Sequence, residues 1–191
     1  MVKFNKFIIL ALLLAKCFTF NLVAQDVLIS GALNSIKKNL INEGYKCFNL
    51  YYNAYSMKLD TGLISFFKDK LNRKEDWELL DESCIKYKKD TTELEWNKFK
   101  IKGIKILDNI KSEKIFRLNY HAEIDLVSKK LDGCNQVIYL SNPLFFSNDE
   151  FLIIEITRLF TRSAGRGDAY LLKRSKNNKW IQIAKRNTNA I

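Results

Sequence analysis

The segment Phe151-Leu152-Ile153-Ile154-Glu155-Ile156 constrains the fold more than any other stretch of the chain. Successive side chains of a strand point to opposite faces of a sheet, so a strand with water on one side alternates apolar and polar residues. Here both parities are apolar except at Glu155. The segment therefore reads as a central strand buried on two sides. Around it the pattern has period two. Phe116, Leu118, Tyr120, Ala122, Ile124 and Leu126 alternate without a break, and Phe99 and Ile101 alternate with lysines. Val137 to Leu140 is a further strand, closed by Asn142-Pro143 because proline has no ladder donor. Leu131-Asp132-Gly133 reads as a turn. Tyr170 to Leu172 and Trp180 to Ile183 flank Asn177-Asn178, a hairpin turn. The C-terminal half is thus expected to form an antiparallel meander.

The first half of the chain has the other period. Val27, Leu28, Ala32, Leu33, Ile36, Leu40 and Ile41 recur near 3.6 residues between Asp26, an N-cap, and Gly44, a stop. Tyr45, Phe48, Tyr52 and Tyr55 share one face if that segment is helical, and there they read as a core stripe. Asp60 or Thr61 caps a second helix carrying Leu63, Ile64, Phe67 and Leu71. Residues 72 to 95 are charge-rich, with Trp77, Leu79, Leu80 and Ile85 docking on the core. With 191 residues and no internal boundary, residues 25–191 are expected to form one globular domain. The fold class is α+β: N-terminal helices packed on a C-terminal antiparallel meander, covering one face of it.

The N-terminus reads as an address. Lys3 and Lys6 precede the apolar run Phe7 to Ala15, Lys16 ends it, and Ala24 supplies a small residue for cleavage. This is the layout of a secretory signal peptide over residues 1–24, and the run is too short to span a bilayer. The mature chain is expected to be secreted or periplasmic, without a transmembrane segment. Removing residues 1–24 takes away three lysines and no acid, so the formal charge falls from +11 to +8. That basic balance suits an anionic ligand or an envelope partner. The lysines are scattered, and no specific nucleic acid is expected. Of the mature cysteines Cys47, Cys84 and Cys134, at most two can pair, and no spacing matches a zinc site. The chain has no Asn-x-Ser/Thr acceptor, which favours a bacterial route.

The C-terminal third carries Ser141-Asn142-Pro143-Leu144-Phe145, then Gly165-Arg166-Gly167, then Lys176-Asn177-Asn178-Lys179-Trp180. The pattern resembles small secreted proteins of Bacteroidota that end in Ser-x-Pro-Ile/Leu-Phe, Gly-x-Gly and Lys-x-Asn-Gly-x-Trp. The resemblance covers about 50 of 191 residues. It implies a shared sheet and an exported protein, and it assigns no catalytic or binding residue. The glycine pair is expected to allow positive φ in a tight connection. Trp180 is expected to be buried against the helices or against Phe145 and Phe146, with Gln182 and Ala184 on its side of the strand.

Two groups of residues carry candidate chemistry. On a strand, His121, Glu123 and Asp125 share one face about 7 Å apart, the right residue types for general-base work near neutral pH. Arg158, Arg162 and Arg166 are the candidate anion-binding residues, with backbone N–H groups around Gly165 and Gly167. Arg166-Gly167-Asp168 also spells the integrin-binding tripeptide, a short match of little weight. No P-loop, dinucleotide-binding glycine pattern, Gly-x-Ser-x-Gly or His-Glu-x-x-His is present, and no metal site or cofactor is expected. The expected function is a non-enzymatic binding or envelope-associated domain. The alternatives are a small hydrolase using His121 with Glu123 or Asp125, and an inhibitor or immunity-type protein.

Overall fold

The computed structural model describes residues 26–44, 47, 49–51, 53–92, 94–99, 104–107, 137–160 and 163–188. Residues 1–25, the segment 116–126 expected to alternate as a strand, the turn expected at 131–133 and Ile101 lie outside the described residues. Helix α1 spans 26–42. Its buried stripe is Ile29, Ala32, Leu33, Ile36 and Leu40. Gly44 ends it at φ 95°, a conformation that costs glycine no Cβ clash. Helix α2 is Thr61–Lys68, and Asp60 caps it by accepting from the Leu63 N–H at 2.7 Å. Helix α3 is Lys74–Lys89. Its inward stripe is Asp76, Leu80 and Cys84, four residues apart, with Trp77 and Tyr87 packed partly against it. Leu79 and Ile85 fall on the outer face and are exposed, contrary to the docking expected for them.

The strands are β1 (Asn49–Leu50), β2 (Lys105–Ile106), β3 (Val137–Leu140), β4 (Leu144–Phe146), β5 (Phe151–Phe160), β6 (Ser163–Arg174) and β7 (Trp180–Thr188). They form one sheet in the order β2-β1-β3-β5-β6-β7, with β4 also on β5. The α+β architecture is as expected: N-terminal helices on a C-terminal meander. The sheet is mixed, because β1 comes from the first half of the chain and pairs in parallel with both β2 and β3. The helical reading of the tyrosine-rich segment fails accordingly. Asn49–Leu50 is a strand, Tyr55 bridges Ser141, and the Tyr55 hydroxyl lies 2.9 Å from Thr157 Oγ1. Tyr45, Phe48 and Tyr52 lie outside the described residues.

The helices cover two faces, where one was expected. Leu152, Ile154 and Ile156 of β5 pack with the α1 stripe, Tyr170 and Leu172. Phe151 and Ile153 pack with Leu63, Phe67, Leu80 and Cys84 of α2 and α3. This two-layer cover is what an all-apolar strand demands, since a bare face of Phe151 and Ile153 would leave two large side chains in water.

Pro143 breaks the strand opposite β5 into β3 and β4. The ladder is mended by a side chain: Ser141 N–H donates to Glu155 O, and Ser141 Oγ accepts from Glu155 N–H, both at 2.9 Å. Asn142 then ties in a loop, its Nδ2 donating to Thr92 O at 2.9 Å and its Oδ1 accepting from Leu94 N–H at 3.1 Å. Tyr87 of α3 donates to Asn142 O at 3.1 Å and accepts from Met57 N–H at 2.9 Å. Burial pushes its phenol up to about 12.

The glycine pair is not a tight turn. Gly167 lies within β6, opposite Thr188, where a Cβ would run into the Thr188 side chain and sit 3.3 Å from Glu155 Oε1. Close approach of neighbouring strands excludes a side chain there, not φ. The turn at Asn177-Asn178 is as expected, with Asn178 at φ 56°.

Trp180 is 6 % exposed, beneath α1. Its Nε1 donates to Leu28 O at 3.0 Å, and its ring lies 6.1 Å from that of Phe145. A Cβ on Gly31 would come within 3.2 Å of the indole, which explains a glycine inside α1. Ala184 is not on Trp180's side. A register shift between Leu171 and Leu172 inserts an extra residue in β7 and turns Ala184 to the α2–α3 face. Trp180→Ala is expected to cost about 3–5 kcal/mol, through lost burial and the cavity it leaves. A thermal melt within a degree or two of the parent would contradict this placement.

Candidate functional site

The catalytic candidates His121, Glu123 and Asp125 lie outside the described residues, as does Arg162. Arg158 and Arg166 are cross-strand partners on β5 and β6, so the meander does bring them together. It also buries one of them. Arg158 is 3 % exposed and Asp168 is fully buried. The guanidinium pairs with Asp168 and with Glu43 at 3.2 Å. Lys185 of β7 reaches Glu43 at 2.6 Å and Asp168 at 3.4 Å. Arg166 remains exposed, with Asp168 at 3.9 Å and Asn187 Oδ1 at 3.1 Å. The result is an ionic knot that ties the end of α1 to three strands. The guanidinium of Arg158 is spent on internal carboxylates. Gly167 and Asp168 are buried within β6, so the adhesion tripeptide is not presented on a loop.

A second charged group surrounds a surface cavity of about 300 Å³, between the α2–α3 connection and the sheet. Asp76 is among its lining residues and is 2 % exposed. Arg73 grips Asp76 with Nε and Nη2, each at 2.8 Å, and Nη2 also reaches Glu150 Oε2 at 2.8 Å. Lys173 of β6 meets the other oxygen of Glu150 at 3.2 Å. Lys70 also lines it, with its ammonium 5.4 Å over the Phe66 ring. Leu71, Phe151 and Ile183 give the cavity its apolar wall.

The cavity is held by a strained turn. Ser147, Asn148 and Asp149 all have positive φ, between 53° and 60°. Left-handed backbone costs an L-residue energy, and it survives where the surroundings enforce it. The enforcement is visible: Ser147 Oγ donates to Asp76 Oδ1 at 2.8 Å, and Arg174 N–H donates to Glu150 O at 2.8 Å. Sequence reading missed this site. Its signals are weak singly: an Arg73–Asp76 pair at i,i+3, and a Ser-Asn-Asp run that tolerates left-handed backbone.

Burial pushes the Asp76 carboxyl up, but the hydrogen bonds from Arg73 and Ser147, with the charges of Arg73 and Lys173, outweigh it and hold the group below its ordinary value of 3.8. Among the described residues, no group of three His, Cys, Asp or Glu side chains is placed to hold a metal ion. Comparison with protein-family models, with curated proteins and with solved structures finds no match for the chain.

Two outcomes follow from these ionic groups. Asp168→Asn leaves buried Arg158 with Glu43 as its remaining carboxylate and is expected to cost about 3 kcal/mol, whereas replacing Arg158 and Asp168 together by Met and Leu should recover most of it. Urea denaturation of the three proteins checks this. The lowered Asp76 group stabilises the fold fully above its unfolded value, and that stability is lost as pH falls through the folded value. Asp76→Asn should therefore flatten the stability profile below about pH 4, where the unfolded carboxylate begins to take up protons.

Proposed function

We propose that this protein is an exported, non-enzymatic binding or envelope-associated domain, working in the periplasm or outside the cell. The observation that carries the reading is a disulfide at Cys47, in a chain that opens with a basic and then apolar leader. Disulfides persist in oxidising compartments. The likeness of the C-terminal pattern to small secreted proteins of Bacteroidota supports the same placement. No described helix is long and apolar enough to cross a membrane.

The cysteines can be apportioned on that reading. Cys84 is a free, buried thiol, pushed up to about 11 chiefly by burial and then by Asp81, so it is chemically quiet at neutral pH. Cys17 and Cys134 are the other cysteines of the sequence. Removal of the leader takes Cys17 away and leaves Cys134. The binding half of the reading rests on the cavity, where three cations and two carboxylates are held in one frame with a positive charge to spare. That arrangement suits the holding of a ligand.

N-terminal sequencing of the exported protein is expected to begin near Gln25 or Asp26, and recovery of Met1 or Val2 would overturn export. Non-reducing peptide mapping should return a Cys47–Cys134 peptide, with Cys84 alkylated only after denaturation. Hydrolytic activity on ester, peptide or glycoside panels that vanishes in His121→Ala would replace this reading with the enzymatic one.

A further inference from the structure

We propose that the cavity beside Arg73 takes a small monoanion, a carboxylate carried on a short apolar body. The proposal rests on the binding-domain reading and names the ligand class for it. Three cations and two carboxylates surround the space: Lys70, Arg73 and Lys173 against Asp76 and Glu150. The frame therefore carries one net positive charge, which matches a monocarboxylate better than a phosphate dianion.

The donors left over have the right kind and place. Arg73 commits Nε and Nη2 to Asp76 and Glu150, and its Nη1 makes no hydrogen bond or ion pair with a described residue. A guanidinium gripped by two carboxylates is held in one orientation, so its remaining edge is fixed before a ligand arrives. Lys70 has no carboxylate partner among the described residues, and its ammonium rests over Phe66. Together they are two unspent cationic donors at one mouth.

Opposite them is apolar surface. Ile183 lines the cavity and is 38 % exposed, and Ile181 beside it is 55 % exposed. Ile183 falls on the α2–α3 side of β7 by alternation from Trp180 and lines the cavity together with Lys173. A volume of about 300 Å³ sits at the small end of ligand pockets, enough for a carboxylate with one leucine-sized group. A free C-terminus ending in an aliphatic residue and a short branched-chain acid share this chemistry.

The test uses the mature chain, labelled with nitrogen-15, and follows amide shifts during titration. The probe is N-acetyl-leucine, compared with N-acetyl-leucinamide, N-acetylglycine, isovalerate and inorganic phosphate. N-acetyl-leucine is expected to bind with a Kd in the millimolar range or below and to shift residues 70–73, 173 and 181–183. The amide and N-acetylglycine should each bind about tenfold more weakly, having lost the charge or the apolar body. Isovalerate matching N-acetyl-leucine would place a free acid in the site, and a large advantage for N-acetyl-leucine would favour a peptide terminus. Lys70→Gln, at an exposed position, should weaken N-acetyl-leucine about five- to tenfold with an unchanged melting temperature, and Ile183→Ser should weaken it as much while the amide spectrum stays that of the folded protein. The proposal is overturned if acid and amide bind alike, if phosphate binds more tightly, if the shifts map elsewhere, or if neither variant weakens binding. Its failure would leave the localisation result standing, and a cytoplasmic location would not alter the titration.

Discussion

A strand that is apolar on both faces must be covered on both faces, and the rest of this structure is arranged around that requirement. β5 carries Leu152, Ile154 and Ile156 on one side and Phe151 and Ile153 on the other, all essentially without exposure. Each buried side chain of this size is worth roughly 1.5–3 kcal/mol relative to water. No single helical layer can collect that on both sides. α1 therefore packs on one face while α2 and α3 pack on the other, and the sheet becomes the middle layer. β5 also pairs with three strands at once, with β3 and β4 sharing one of its edges and β6 taking the other.

The shared edge is where the two halves of the chain are joined. Pro143 interrupts the ladder, and an interrupted ladder leaves polar backbone that must be satisfied. Ser141 closes it with a hydroxyl, while Asn142 and Tyr87 use the displaced backbone to hold Thr92, Leu94, the segment at 55–57 and α3. A defect in pairing thus becomes the anchor for elements that have no ladder of their own.

Charge follows the same economy. Two of the three arginines singled out in the sequence do meet across β5 and β6, but burial gives Arg158 to Asp168 and Glu43, so its role is to secure α1. The cations with donors to spare are Lys70 and Arg73, in a connection whose sequence looks like an ordinary solvated loop. Arg73 reaches Glu150, 77 residues away. No window of sequence contains both ends of that contact, and so no spacing pattern announces the cavity.

What the sequence determined by itself is what depends on neighbours in the chain. The helical stripe of α1, the Asp60 cap, the stop at Gly44, the Asn177-Asn178 turn, the central position of β5 and the burial of Trp180 all follow from periods of two or 3.6 and from local backbone chemistry. Even the second helical layer was implicit in Phe151 to Ile156, although the expectation drawn was of one covered face. Tertiary structure decided what depends on distant partners: the parallel entry of β1 into the sheet, the face on which Ala184 lies, the partners of Arg158 and the walls of the cavity. A period constrains which way a side chain points, through bonds fixed within a few residues. Which side chain it then meets is set by how layers stack and where a ladder slips by one residue, and that is an energy minimum of the whole packed chain.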